Sequence, residues 1–181
     1  MYQIVMAHPD DEVIFGWPVL KETNKILICS SDLDNPKRMW CKNRKIALME
    51  VCSELGIKYE CLNYNSEFYR LPTRDETLKR MANDIQRRVG DKVFTHNPWG
   101  EYGHIDHIII NQIVPGHCSD ILIDSNWLPV RRHGLGRLIK KAEWDEAIYQ
   151  KLKKIYVRHG CWTWNREPVR EANIYENNNG L

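Results

Sequence analysis

The chain has 181 residues, of which 43% are hydrophobic and 28% are charged, and its formal net charge is +2. This length allows one domain with a substantial core, and the composition is ordinary for a globular protein. The net charge is too small to indicate a polyanionic partner, and no apolar run is long enough to cross a membrane. The first residues lack the pattern of a signal peptide and the six cysteines form no CxxC pair, which predicts a cytoplasmic protein with reduced thiols.

Strand-like and helix-like segments alternate along most of the chain. Short apolar, β-branched runs predict strands at Tyr2–Met6, Lys25–Cys29, Lys58–Tyr64, Lys92–Thr95 and Asp120–Ile123. Helical periodicity predicts helices at Glu12–Glu22, Met39–Leu55, Thr73–Val89, Asp106–Ile113 and, last, Glu143–Val157. This alternation predicts an α/β fold of three layers, with a mostly parallel sheet of about five strands covered by helices on both faces. No linker divides the chain, so we expect residues 1–181 to form a single domain and the end of the chain, from residue 177, to be frayed.

Local signals mark where several of these helices begin and end. The tetrapeptide at residues 73–76, Thr-Arg-Asp-Glu, predicts a capping box at the start of the third helix. Gly56 and Gly90 follow the second and third helices, where a left-handed residue is expected. Pro18 predicts a kink or a restart within the first helix.

The most informative segment directly follows the first strand, where residues 6–12 read Met-Ala-His-Pro-Asp-Asp-Glu. Polar groups at the carboxyl end of a strand in an α/β protein usually belong to a functional site. His8 and Asp11 suit a divalent metal, which leaves Asp10 available as a base. The alternative is that the acids only cap and charge the next helix, but that interpretation does not account for the histidine.

A second polar cluster follows the fourth strand, in residues 95–107. His104 and His107 are three positions apart, so they share one face if a helix begins there. One of them suits a metal, and the other suits the substrate or a supporting carboxylate. For His96 we favour a structural role as a hydrogen-bonded histidine at the end of the strand, and Asp106 on its own is also typical of a helix start.

Together the two clusters supply histidines and an aspartate for a three-ligand metal site with open positions. Zn²⁺ suits this mixture of donors, because catalytic zinc keeps a position for water. Fe²⁺ or another divalent ion fits the same donors, and the sequence leaves that choice open. A metal of this kind, with a carboxylate base beside it, is typical of the hydrolysis of a carbonyl compound.

The segments Ala7-His8-Pro9-Asp10-Asp11-Glu12 and Gly103-His104-Ile105-Asp106-His107 resemble the paired motifs of the PIG-L/LmbE-like zinc-dependent N-acetylglucosamine de-N-acetylases. Both motifs occur in the expected order and each follows a predicted strand. The resemblance extends from residue 1 to about residue 125. It implies a Rossmann-like fold and an enzyme that removes the N-acetyl group from an N-acetylglucosamine-type amino sugar, or its conjugate, by means of metal-activated water.

The resemblance also implies a role for each motif residue. The metal ligands would be His8, Asp11 and His107. Asp10 would be the general base, His104 would stabilise the oxyanion, and Asp106 would orient a neighbouring histidine. Arg44, in the second predicted helix, would contact the substrate, although the surrounding Asn43–Ala47 matches only loosely. The chain departs from the family's usual glycine pair after the first motif, where it has Gly16-Trp17-Pro18.

Other functions remain open at this point. One is an amidase that acts on a sugar–thiol conjugate, and another is a non-catalytic domain that keeps the metal and binds a sugar or nucleotide. Asp10 argues against the second, because a binding site has no need of a base. We expect a small-molecule or glycan substrate carrying an N-acetylated amino sugar as partner, and we interpret the late basic residues of the chain as a solvated helix face rather than a nucleic-acid site. Trp162 and Trp164 suit either a lid over the substrate or core packing.

Overall fold

A computed structural model of the protein describes residues 1–31, 39–65, 70, 72–121, 135–166 and 169–177. The helices in this part of the chain are α1 (Asp11–Ile14), a 3-10 helix (Trp17–Glu22), α2 (Met39–Leu55), α3 (Arg74–Gln86), α4 (Gly100–Gly103), α5 (Ile105–Ile113) and α6 (Glu146–Arg158). The strands are β1 (Tyr2–Met6), β2 (Thr23–Ser30), β3 (Lys58–Tyr64), β4 (Val93–Phe94), β5 (His117–Ser119), β6 (Leu135–Glu143) and β7 (Glu171–Asn177).

The strands form one sheet in the order β3-β2-β1-β4-β5-β7-β6. The first five strands are parallel, β7 is antiparallel to β5, and β6 is antiparallel to β7. The predicted α/β class and the mostly parallel sheet are therefore confirmed. The expected number of about five strands is too low, because β6 and β7 extend the sheet by an antiparallel pair.

Alternating side chains of the central strands fill two core layers. Ile4 and Met6 of β1 pack with Leu48 of α2 and Leu152 of α6 on one face of the sheet. Val5, which points the other way, packs on the opposite face, where the buried neighbours from the covering helices are Met81, Ile85 and Ile110. A strand buried on both faces reads as a continuous apolar run, and this is the pattern at the start of the chain.

The first predicted helix, Glu12–Glu22, is split into two parts. It begins as α1 and restarts as the 3-10 helix, in which Pro18 lies in the first turn. A β-carbon at Gly16 would lie 2.6 Å from the carbonyl oxygen of Glu12, so the tight turn between the two parts requires glycine. The predicted restart at the proline is confirmed.

The predicted ends of the other helices are confirmed only in part. Gly56 has a φ of 65° directly after α2, as expected for a left-handed C-terminal residue. Thr73 is the N-cap of α3, but its side chain makes no capping hydrogen bond, so the capping box is wrong. Gly90 does not end α3, which stops at Gln86; its N–H donates to Oε1 of Gln3 instead, at 2.7 Å.

Two further segments are shifted from their predicted positions. The fifth strand is His117–Ser119 rather than Asp120–Ile123, and residues 122 and 123 lie outside the described part of the chain. The last helix is Glu146–Arg158 rather than Glu143–Val157, because Glu143 ends β6. Asn177 ends β7, so the predicted frayed tail starts one residue too early, and residues 178–181 are not described. Within the described ranges, no helix has the length and apolar character that crossing a bilayer requires.

Candidate active site

Two loops meet at the carboxyl edge of the sheet, and they carry both motifs. β1 lies beside β4, and the strand order reverses between them, so the loops that follow these strands face one crevice. Asp10 is the N-cap of α1, and His104 is the N-cap of α5. The sheet topology therefore brings together the two polar clusters, which are about a hundred positions apart in the sequence.

Oδ2 of Asp11 is the point on which three imidazoles converge. It lies 3.3 Å from Nδ1 of His8, 3.4 Å from Nε2 of His107 and 3.5 Å from Nε2 of His96. The backbone N–H of His8 donates to the same oxygen at 2.8 Å. Burial favours the neutral carboxyl, but the neighbouring imidazoles of His107, His8 and His96 outweigh it and hold the pKa of Asp11 well below its usual range. Asp11 is therefore an ionised acceptor at the centre of the site.

Two of these histidines are backed by a second carboxylate. Nε2 of His8 lies 3.0 Å from Oδ2 of Asp106, and Nδ1 of His107 lies 2.8 Å from Oε2 of Glu101. A carboxylate at one ring nitrogen fixes the tautomer and leaves the other nitrogen as a lone-pair donor. His8 thus presents Nδ1, and His107 presents Nε2, towards Asp11. The contact between Asp106 and His8 is of the kind that the family resemblance implied for Asp106.

His96 is a fully buried histidine with a partner at each ring nitrogen. The N–H of Ala7 donates to Nε2 at 2.9 Å, and Nδ1 lies 3.0 Å from Oε2 of Glu101. Burial lowers the pKa of His96, while the carboxylates of Glu101 and Asp11 raise it to about 9 overall. The Ala7 N–H needs a lone pair, however, so we assign a neutral ring with its proton on Nδ1. This geometry agrees with the structural role that we expected for His96.

The imidazole of His104 is stacked on that of His107, with ring centroids 4.5 Å apart. Its Nδ1 accepts the N–H of Asp106 at 3.2 Å, and this contact caps α5. Burial and the neighbouring histidines His107 and His8 lower the pKa of His104 to about 4. The ring is therefore neutral at neutral pH, and its remaining proton is on Nε2, where it is available as a hydrogen-bond donor.

The carboxylate of Asp10 does not cap α1, although Asp10 is the N-cap residue. Oδ1 forms an ion pair with Nη2 of Arg44, and Oδ2 accepts the hydroxyl of Thr163 at 2.7 Å. The side chain is 1% exposed, and its backbone φ of 94° is in the left-handed region. Burial raises the pKa of Asp10, and the charge of Arg44 opposes that effect. The interpretation of this aspartate as a simple helix cap is wrong.

Arg44 lies in α2, and its position connects that helix to the site. Its guanidinium carbon is 4.6 Å from the ring centre of Trp40. Nε of Arg44 is buried and has no hydrogen-bond partner among the described residues. The structure therefore places Arg44 in the site, with its closest polar contact on Asp10.

Four site residues were not assigned a role from the sequence. Glu12 is the last residue of the first motif, Glu101 lies two positions before the second, and the number of acids in those segments was the only signal for them. Tyr156 donates its hydroxyl to Oε1 of Glu12 at 2.6 Å, and Thr163 donates to Asp10. Both lie in the last third of the chain, where the sequence carried no signal that links them to the motifs.

The tryptophans beside Thr163 pack against aromatic rings. Trp164 is buried against Phe15 and Tyr102, with ring centroids 5.5 Å away in both cases. Trp162 is half-buried and packs on Tyr156, at 6.0 Å. These contacts favour the packing interpretation of both tryptophans, and they fix the backbone of Thr163 at the edge of the site.

The donor set is compatible with a metal ion. Two overlapping groups of ligand atoms lie within 4.8 Å of one another, namely His8, His104 and His107, and Asp11, His96 and His107. Nε2 of His107 is buried and lacks a hydrogen-bond partner within the described segments. A buried ring nitrogen without a partner costs free energy, and a bound cation would relieve that cost. The mixture of imidazole nitrogens and a carboxylate suits zinc or another first-row divalent ion.

Fold and site together define a class: a Rossmann-like α/β protein with a buried cluster of histidines and carboxylates at the switch point of its sheet. Residues 3–117 match the model of the PIG-L family, described as GlcNAc-PI de-N-acetylase. The chain belongs to this family. It is also 29% identical, over 180 residues, to uncharacterized protein L374 of Acanthamoeba polyphaga mimivirus, with 86% of this chain and 76% of the relative covered.

Solved structures with the same fold include two deacetylases. The A40926 pseudoaglycone deacetylase Dbv21 has a TM-score of 0.66 at 13% identity, with 97% of this chain and 96% of that chain covered. The N,N'-diacetylchitobiose deacetylase of Pyrococcus horikoshii has a TM-score of 0.56 at 18% identity, with 91% and 71% covered. The 4-carboxy-2-hydroxymuconate hydratase GalB of Pseudomonas putida KT2440 has a TM-score of 0.56 at 14% identity, with 96% and 94% covered. At these identities the similarity concerns the fold, and the fold hosts more than one reaction.

Proposed function

We propose that the protein is a metal-dependent hydrolase that removes the N-acetyl group from an N-acetylglucosamine-type amino sugar or its conjugate. The observation that carries this proposal is the buried Nε2 of His107, which has no hydrogen-bond partner among the described residues and lies 3.4 Å from Oδ2 of Asp11. The carboxylate of Asp10, one residue earlier, contacts Arg44 and Thr163 instead and so is separate from this group. Membership of the PIG-L family and the deacetylases that share the fold support the choice of substrate.

We assign the metal to His8, Asp11 and His107. His8 and His107 each carry a carboxylate on the ring nitrogen that faces away from Asp11, as ligating histidines do. His96 is less suited, because its Nε2 already accepts the N–H of Ala7. The metal, when bound, would polarise the amide carbonyl and make water more acidic.

In this proposal Asp10 removes the proton from the attacking water and later delivers it to the leaving amine. Arg44 and Thr163 hold its two oxygens, so the carboxylate needs no reorientation when the proton moves. His104, neutral and protonated on Nε2, donates a hydrogen bond to the oxygen on which negative charge develops. Arg44 contributes to the site by holding the carboxylate of Asp10, and a direct contact between Arg44 and the substrate would be a second role.

The last third of the chain also supplies residues to the proposed active site. Thr163 donates a hydrogen bond to the carboxylate of the base, Asp10. Tyr156 of α6 donates one to Glu12, which in turn accepts the N–H of Asp10. We therefore propose that residues 1–181 act as one domain, since the family match at residues 3–117 does not contain the whole site.

The test is acetate release by the purified protein, loaded with zinc, from a panel of N-acetylglucosamine conjugates. Asp10→Asn should reduce kcat by at least about a hundredfold while the protein still binds one zinc ion. His107→Ala should lose the zinc. Asp75→Asn, at an exposed position on α3, is the matched control and should behave as wild type.

Three outcomes would contradict the proposal. A zinc-loaded wild type that releases no acetate from any conjugate indicates a binding domain or another reaction. Undiminished release by Asp10→Asn removes Asp10 as the base. Stoichiometric zinc in His107→Ala removes His107 from the ligand set.

A further inference from the structure

Asp10 is held in place by contacts that come from the far end of the chain. Its backbone N–H donates to Oε2 of Glu12 at 2.9 Å, and Oε1 of Glu12 accepts the hydroxyl of Tyr156 at 2.6 Å. Its side-chain Oδ2 accepts the hydroxyl of Thr163 at 2.7 Å. Tyr156 and Thr163 both follow residue 117, where the family match ends.

The backbone of Asp10 needs such support. Its φ of 94° and ψ of −25° are unfavourable for a residue with a β-carbon, and such a conformation persists only when neighbouring groups impose it. The carbonyl oxygen of Asp10 accepts the N–H groups of Val13 and Ile14 at 3.0 Å, which begins α1. Glu12 then holds the N–H of the same residue from the other side. The peptide units on both sides of Asp10 are therefore fixed, and with them the direction in which its side chain leaves the backbone.

Glu12 is itself unable to move freely. It is fully buried, and Tyr156, which anchors it, is also fully buried in the core between α6 and the sheet. A buried carboxyl group keeps its position only while its hydrogen bonds are satisfied. Loss of the tyrosine hydroxyl leaves Oε1 of Glu12 without that partner, so the side chain is free to turn away from the Asp10 N–H.

We infer that Tyr156, Glu12 and Thr163 form a base clamp, a set of positioning residues that aim the carboxylate of Asp10 at the attacking water. The inference rests on the proposed function, in which Asp10 is the base. Tyr156 and Glu12 set the backbone, and Thr163 sets the rotation of the carboxylate. The hydrogen bonds that define the base clamp end on Asp10 and Glu12, and none of them involves His8, Asp11 or His107, the residues assigned to the metal.

The test compares kcat, KM and zinc content in matched pairs of variants. Thr163→Val removes the hydroxyl at nearly constant volume, and Thr163→Ser keeps it. We expect Thr163→Val to lower kcat about 10- to 100-fold, as for other small misplacements of a catalytic group, with unchanged KM and one bound zinc. Thr163→Ser should restore most of the wild-type kcat.

Tyr156→Phe tests the backbone arm of the base clamp, with Tyr149→Phe on the same helix as its control. Tyr149 is also buried, and its ring, which a phenylalanine keeps, packs against those of Trp144 and Trp162. We expect a drop in kcat of the same order for Tyr156→Phe alone. We also expect faster hydrogen exchange of the Asp10 amide in that variant, which an NMR experiment detects without any turnover.

The possible failures are distinguishable. If the wild type releases no acetate, the proposed function fails, and the base clamp fails with it because Asp10 is then not the base of this reaction. If the wild type is active and Thr163→Val and Tyr156→Phe match it in kcat, only the base clamp is overturned. A rise in KM at constant kcat for Thr163→Val also overturns it, because that result makes Thr163 a substrate contact. Should Tyr156→Phe fail to fold, the Thr163 pair decides.

Discussion

Glu101 and His107 form a buried carboxylate–imidazole pair in which, among the described residues, only one of the two ring nitrogens of His107 has a hydrogen-bond partner. Oε2 of Glu101 lies 2.8 Å from Nδ1 of His107, and Nε2 of that histidine has no hydrogen-bond partner in the described part of the chain. Burial favours the neutral carboxyl, but His96 and His107 lower the pKa of Glu101 to about 2, so the pair contains a carboxylate anion. An anion at Nδ1 makes Nε2 a better donor to a metal.

Glu101→Gln should therefore weaken zinc binding about 10- to 100-fold, since carboxylates behind ligating histidines typically contribute that much. The amide keeps the size of the side chain and one acceptor oxygen, but it removes the charge that polarises the imidazole. The measurement is the zinc dissociation constant, from competition with a chromophoric chelator.

Glu171→Gln is the control for that variant. Glu171 is an exposed residue at the start of β7, so the same chemical change there should leave zinc affinity at the wild-type value. Equal affinity of Glu101→Gln and wild type would mean that the charge of Glu101 does not support a ligand.

His96→Gln separates the two candidate ligand sets. If His96 is structural, the variant keeps one zinc per chain, and its free energy of unfolding falls by roughly 1–3 kcal/mol because buried hydrogen bonds are disturbed. The amide oxygen of glutamine can still accept the N–H of Ala7. Zinc content by mass spectrometry and a urea titration measure the two effects, and complete loss of zinc would make His96 a ligand in place of His8.

The sequence predicted the central sheet well because its strands have a local signature. β1 and β3 have the predicted bounds, and so does α2, since each is a continuous segment bounded by clear changes in hydrophobicity. The antiparallel pair β6 and β7 was missed. Both strands are largely half-exposed or exposed and polar, and their hydrogen-bond partners are each other and β5, far away in the sequence.

The residues of the candidate site were likewise predicted from the sequence only in part. The motif residues His8, Asp11 and His107 stood out because unusual residue types cluster after two strands, and the sheet brings them together as expected. Tyr156 and Thr163 could not be found from the sequence. A tyrosine in an amphipathic helix and a threonine between two tryptophans are common, and only the three-dimensional fold shows which carboxylates they reach.

Helix α2 allows a test of which of its faces is buried. Leu48 is fully buried in the core, whereas Ile46, two positions earlier, is 48% exposed. Leu48→Ala should lower the free energy of unfolding by about 2–5 kcal/mol through the cavity that it leaves. Ile46→Ala should change it by less than about 0.5 kcal/mol. Denaturation of both variants in urea measures the difference, and similar losses in the two would mean that the helix is rotated from the orientation described here.

The loop that carries Glu101 contains two glycines with positive φ, and they should respond differently to alanine. Gly100 has a φ of 65°, and a β-carbon there would lie 2.9 Å from Cγ1 of Ile108 and 3.3 Å from Cβ of His107. Gly103 has a φ of 90°, and in the described part of the chain no atom outside its chain neighbours and the backbone of its own helix lies within 4 Å of an added β-carbon. Gly103→Ala therefore meets only the backbone penalty, about 1–2 kcal/mol.

Gly100→Ala adds a steric clash against α5 to the same penalty. We expect its free energy of unfolding to fall by roughly 2–4 kcal/mol, because the displaced neighbours are in the packed interior. Zinc affinity should fall as well, since the clash displaces His107, which is one of the assigned ligands. Urea denaturation and zinc titration on the two variants provide the comparison, and a Gly103→Ala protein as impaired as Gly100→Ala in both measurements would contradict this packing of the loop on α5.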